Sequence, residues 1–273
     1  MTNTPTLVQV IAFFLAWASC WLPLAIFCAL AIGWRPPQPL ATQQKLPLLA
    51  SLYLIAPLVL WQASHLLNKS ISDYGLVWNL QLISSFSTGL VLAVLGLVVI
   101  FLLETVWGLV TWNKNAKIAS VLLPTLLLAF LVSGIEELVF RGFVLTLLKQ
   151  DFAPVLAAAI SSLIFAFLHL LWEQTETIPQ LPGLWLMGMV LVLARWVDDG
   201  SLGLAWGLHT GWVWAIASLD TLDAIAYTGN ASGWVTGKNG KPLAGAAGIF
   251  CMLATGAIIW LYHFRFWILD FGL

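Results

Sequence analysis

The sequence predicts an all-α, polytopic transmembrane helical bundle of about eight helices, and three observations predict it. Hydrophobic residues fill 61% of the 273 positions and charged ones only 8%, with a mean hydropathy of +0.95. Soluble domains carry roughly 25% charged residues, so this chain cannot present a water-facing shell along its whole surface. Apolar runs near the length of about 20 residues that a bilayer requires recur from one end to the other. The polar segments between them are short, which leaves no room for a soluble domain, and 1–273 reads as a single integral membrane domain.

The first run, 7–32, has no Lys or Arg before it and is too long for the core of a cleaved signal peptide, so it reads as a first transmembrane helix. Arg35-Pro36-Pro37-Gln38-Pro39 ends it, because each proline removes a backbone donor and fixes φ. A second span is expected over 46–67. Residues 68–85, with Asn68, Lys69, Ser70, Ser72 and Asp73, read as an interfacial loop with a short surface helix. Further spans are expected over 86–110, 118–147, 152–172, 180–197 and 201–219. Asp198-Asp199-Gly200-Ser201 supplies capping residues before the last of these. The longest polar segment, 220–243, contains the turn pair Asn239-Gly240, and an eighth span follows over 244–268.

Composition excludes other classes. A net charge of −1 provides no basic patch for nucleic acid. Cys20, Cys28 and Cys251 lie in apolar runs without C-x-x-C spacing and read as small core residues. Most of the sixteen tryptophans suit the headgroup level. With the N-terminus outside, Arg35, Lys45, Lys114, Lys117, Lys238 and Lys241 would face the cytoplasm, against Lys69, Lys149, Arg195 and Arg265 opposite, a shallow positive-inside bias.

An ionisable residue inside hydrocarbon costs several kcal/mol and needs a partner or a purpose. Glu136-Glu137-Leu138-Val139-Phe140-Arg141 lies deep in the fourth run. At roughly 100° per α-helical residue, Glu137 and Arg141 stand about 40° apart and can pair, whereas Glu136 and Arg141 stand about 140° apart and cannot easily do so. Glu137 and Arg141 are therefore expected to be a structural pair. Glu136 is left facing another way without a local countercharge, a setting that suits a general base. In the fifth run, His169 follows Phe165 by one turn on the same face. His209 sits mid-way through the seventh run, among Gly203, Ala205, Gly207 and Gly211, which let a neighbouring helix approach. Either histidine alone reads as a packing residue. Together with Glu136, on three helices, they supply a base and imidazoles that orient water or hold a metal. His65 and His263 look interfacial.

Glu136-Glu137-x-x-x-Arg141, Phe165-x-x-x-His169 and His209, in this order on separate membrane helices, resemble the CPBP family of intramembrane proteases (CAAX processing and bacteriocin-processing proteases, also called Abi). The resemblance covers roughly 118–219. Residues 234–245, from Trp234 to Gly245, resemble its cyanobacterial and plastid branch. The resemblance implies an endopeptidase of a bacterial inner or photosynthetic membrane, acting on a membrane-associated protein or peptide. In it Glu136 would activate the attacking water with His169 and His209 alongside, supported by Glu137, Arg141 and Phe165. Such enzymes have been described both as metal-dependent and as glutamate-driven. The cofactor is therefore either none or one divalent metal such as zinc, held by Glu136, His169 and His209. The absence of the His-Glu-x-x-His spacing of soluble zincins tilts the reading towards a metal-free base.

One position departs from the pattern. Four residues after the last histidine the family usually has Asn or Asp, which would help to hold the oxyanion; here it is Val213. Losing one such donor typically costs about 10²–10³ in rate. Thr210, a backbone amide or a side chain of another helix could replace it. The alternative is a non-catalytic membrane scaffold or chaperone that binds a partner protein in the same pocket. A transporter or proton relay fits less well, because no internal repeat is visible.

Overall fold

A computed structural model describes residues 4–35, 38, 40–114, 118–171 and 174–271, without the side chains at 42, 43, 239 and 264–271. The expected Pro36, Pro37 and Pro39 breaker positions, Lys117 and the Arg265 side chain lie outside what is described. The long elements are α1 (Thr6–Ala31), α2 (Thr42–Leu66), α3 (Leu80–Val106), β1 (Val110–Trp112), α4 (Ile118–Leu148), α5 (Pro154–Leu168), α6 (Leu181–Val197), α7 (Gly203–Thr221), β2 (Ile225–Tyr227) and α8 (Ala246–Phe271). All eight expected helices form, so the chain is an all-α polytopic bundle. Its one strand pair among the described residues is β1 and β2, antiparallel, with Thr111 opposite Ala226.

Local chemistry sets the ends of these helices. The Asn79 side chain accepts a bond of 2.8 Å from the Leu82 amide, which starts α3 six residues earlier than the apolar run suggested. Pro154 opens α5, where its missing N–H is no loss. Asp198 accepts from the Leu204 amide at 3.1 Å, and Ser201 accepts from the Gly203 amide at 3.0 Å, so the capping run does cap α7. The expected surface helix is a single 3-10 turn, Ile71–Tyr74, closed by Ser70 and Asp73. Bonds from the Ser70 amide and hydroxyl hold the Asp73 carboxyl below the ordinary carboxylate range. From the α4–α5 turn, Asp151 accepts the Thr6 amide at 2.7 Å and so satisfies the start of α1.

The packing is inverted relative to a water-soluble fold. Large apolar side chains such as Phe27, Leu54, Leu95 and Val106 are exposed, while Ser133, Glu136, Glu137, Arg141, His209 and Thr210 are buried. That distribution is what a hydrocarbon solvent selects. Of the cysteines, Cys251 is buried in the core, whereas Cys20 faces outwards. Trp206 and Trp214 donate to the carbonyls of Phe130 and Leu122, both at 2.9 Å, and pin α7 to α4.

Seven helices among the described residues are long and apolar enough to cross a membrane, and α7 is not one of them. The reason is that α7 faces protein. From Gly203 to Trp212 every residue except Leu204 is buried, and a helix wrapped by other helices tolerates Gly, Thr, His and Ser. Its closest neighbour is α3. A Cβ at Gly207 would collide with the Phe86 carbonyl, and one at Gly89 with the Leu204 carbonyl, so both backbones meet where neither carries a side chain. Gly207→Ala is expected to lower stability by about 1–3 kcal/mol, the usual penalty of overpacking. Thermal unfolding in detergent micelles reads this, and a midpoint equal to that of the unmodified protein would show that the crossing yields freely.

Candidate active site

The acidic end of α4 is not a regular α-helix. Residues Glu137–Val144 form a π-helical segment, a variation that concentrates at functional sites. Its loosened carbonyls are taken up by side chains of neighbouring helices. Ser161 on α5 donates to the Phe140 carbonyl at 2.9 Å. Arg195 on α6 donates through Nη1 to the Arg141 carbonyl and through Nε to the Gly200 carbonyl at 3.0 Å. Backbone groups at this depth have no water to turn to, so these two donors are what permits the wider turn.

The predicted pair forms: Arg141 Nη1 lies 3.1 Å from Glu137 Oε1, with both side chains buried. Arg141 also stacks its guanidinium 4.3 Å above the centre of the Phe165 ring. Glu136 takes no part in that pair, but it shares a different partner with Glu137. His209 stands against both carboxylates, with Nδ1 at 2.7 Å from Glu137 Oε1 and Nε2 at 3.4 Å from Glu136 Oε2. The helical arithmetic holds for the Glu137–Arg141 pair although the segment is π-helical, and the histidine reaches both carboxylates from a different helix, α7. Glu136 has a second partner as well, because the Tyr53 hydroxyl on α2 donates to its Oε1.

His169 is the first residue of a 3-10 turn that ends α5. Its Nδ1 lies 2.8 Å from the Phe165 carbonyl. A carbonyl only accepts, so Nδ1 carries the proton and Nε2 of the neutral ring is the acceptor. Phe165 connects the parts: its ring centre is 4.6 Å from that of His169, 5.9 Å from that of His209 and 5.2 Å from that of Phe140.

Glu136, His169 and His209 all line one cavity of about 550 Å³. The expected walls, from α4, α5 and α7, are joined by Tyr53 of α2, Leu184 and Met187 of α6, and Cys251 and Met252 of α8. Its lining is mostly apolar, and the partly exposed Glu176, Asp220 and Lys241 add charge to it. Val213 is part of the wall, one turn beyond His209, and Thr210 is buried without lining it. Thr210 therefore does not replace the polar residue that the motif has at 213.

Glu136, His169 and His209 are also the residues that would hold a metal under the resemblance. Among the described residues no three His, Cys, Asp or Glu side chains are placed to share an ion. The residues as placed do not fit a three-ligand metal site.

Sequence reasoning missed Tyr53 and Arg195. Both carried a signal, since a hydroxyl or a guanidinium inside an apolar run must find a partner in the protein. Residues 118–215 match the family model described as Type II CAAX prenyl endopeptidase Rce1-like. No curated protein and no solved structure matches the chain, and the cyanobacterial branch finds no counterpart in these comparisons. Over residues 118–215, which carry both glutamates, Arg141, Phe165 and both histidines, this multi-pass membrane protein is similar to that endopeptidase family.

Proposed function

We propose that the protein is an intramembrane endopeptidase that hydrolyses a peptide bond in a membrane-associated polypeptide, with Glu136 as the base. The observation that carries this reading is that Glu136, His169 and His209 share a single, mostly apolar cavity of about 550 Å³. In this reading, water that enters the cavity meets the Glu136 carboxylate and the Nε2 of His169 on its wall. Glu136 takes its proton as the oxygen attacks the scissile carbonyl carbon. The C–N bond then breaks, and Glu136 returns the proton to the leaving amine.

The histidines are oriented for this by different devices. Glu137, itself fixed by Arg141, holds Nδ1 of His209 and so turns Nε2 towards Glu136. The Phe165 carbonyl holds Nδ1 of His169, which keeps Nε2 as an acceptor for water. Glu137, Arg141 and Phe165 thus act through the histidines and never reach the peptide.

The test is cleavage of a library of membrane-associated peptides, prenylated C-terminal CaaX peptides among them, by the purified protein. His169→Ala is expected to slow turnover about 10²–10⁴-fold, the range for a residue that handles the proton or its water, while the unfolding midpoint stays near that of the unmodified protein. Equal turnover would remove His169 from the mechanism. Equal turnover by Glu136→Ala, His169→Ala and His209→Ala alike would sink the hydrolase reading.

A further inference from the structure

We propose that the Tyr53 hydroxyl is the hydrogen-bond donor that holds the oxyanion formed when the scissile carbonyl is attacked; this rests on the hydrolase reading above. Attack moves a full negative charge onto the former carbonyl oxygen, and in a site with little water the donor for it must already be in position. The existing partners narrow the choice. His209 commits its Nδ1 proton to Glu137, and His169 commits its Nδ1 proton to the Phe165 carbonyl. A neutral imidazole at either position therefore turns an acceptor towards the substrate. Arg141 is bound to Glu137, lies over Phe165 and does not line the cavity. Val213, on the wall one turn after His209, has no donor at all. Tyr53 lines the cavity, and its hydroxyl already touches the carboxylate beside which attack takes place.

The contact with Glu136 also times the donor. Before attack Glu136 is a carboxylate and the better acceptor, so the hydroxyl stays on it. As Glu136 takes the water's proton it loses its charge, and in the same step the carbonyl oxygen gains one. The hydroxyl's stronger partner is then the oxyanion, because bonds to a charged acceptor are roughly twice as strong as neutral ones. The new C–O bond comes from water, the water's proton passes to Glu136 and later to the amine nitrogen, and the tyrosine keeps its own proton throughout. One rival donor is Trp212, whose indole N–H is buried without a hydrogen-bond partner on a residue of the same wall.

The experiment uses the full chain in lipid nanodiscs, a peptide that it cleaves, the N-terminal product of that peptide, and a phosphonate analogue of the scissile bond. Tyr53→Phe is expected to lower kcat about 10²–10³-fold and to weaken phosphonate binding by the same factor. KM and product binding stay within about threefold, since the lost contact is made only in the transition state. A purely structural role for Tyr53 would weaken product and phosphonate binding together, and that outcome overturns the assignment. So does the phosphonate loss in Trp212→Phe with Tyr53→Phe unaffected. In a complex of the unmodified protein with the phosphonate, a phosphonyl oxygen is expected about 3 Å from the Tyr53 hydroxyl. That measurement stands whether or not the phenylalanine variant folds, and a hydroxyl still on Glu136 counts against the proposal. An unmodified protein that cleaves no peptide and binds no phosphonate defeats the hydrolase reading itself. One that cleaves, matched by an equally fast Tyr53→Phe, defeats only the role of Tyr53.

Discussion

Glu136→Gln is expected to slow peptide hydrolysis by about 10²–10⁴-fold, the contribution of a positioned general base, with little change in the unfolding midpoint. The substitution keeps the size and shape of the side chain. Its amide oxygen still accepts from Tyr53, and its amide nitrogen replaces Oε2 opposite His209 Nε2, where it donates to the neutral ring. What disappears is a group that can take a proton from water. Peptide binding is therefore expected to survive, and the fall should lie in kcat rather than KM. Steady-state cleavage and direct binding of an uncleaved peptide, measured on the same preparation, separate the two. A glutamine variant that cleaves at the unmodified rate would remove Glu136 from the chemistry. One that loses peptide binding and cleavage together would make Glu136 a structural residue of the cavity wall.

Which parts of this arrangement the sequence carries follows from how local each interaction is. The Glu137–Arg141 pair is legible because four residues separate its members, and it survives the change from α to π geometry at 3.1 Å. The bridge by His209 is not legible, since it joins residues 72 apart in the chain through the packing of α7 on α4. Position within an apolar run does flag His169, His209 and the glutamates as costly, and all of them are found around one cavity or directly behind it. The same logic applies to Tyr53 and Arg195. Arg195 enters the sequence reading only as a charge on the side opposite the cytoplasm, yet it is buried and bonded to the Arg141 carbonyl. The run 201–219 falls short of the apolarity that the other seven helices reach, because Gly, His, Thr and Ser dilute a helix that packs against protein. The β1–β2 pair is three residues on each side, too short for any periodic signal.

The second large effect concerns stability. Glu137→Ala is expected to cost about 3–5 kcal/mol, because it leaves the Arg141 guanidinium buried and without its counterion. Arg141→Ala removes the opposite charge and a side chain packed on Phe165, and is expected to cost a similar amount. The paired replacement Glu137→Leu with Arg141→Met behaves differently. It removes both charges at once and fills the space with apolar side chains, which is often close to neutral for a buried pair. The double variant should thus be more stable than either single one, a coupling of the kind that contacting residues show and distant ones do not. Unfolding of these proteins and of the single Glu137→Leu and Arg141→Met variants in the same micelles measures it, and if the losses of those two singles simply add in the double variant, the pair is not a unit. Activity is expected not to return with stability. With leucine at 137 nothing accepts the Nδ1 proton of His209, so the ring is free to turn away from Glu136. A stable and inactive double variant would separate what this pair contributes to the fold from what it contributes to the histidine. A stable variant with full activity would mean that packing from Phe165 alone orients His209, and that the carboxylate behind it serves only the guanidinium.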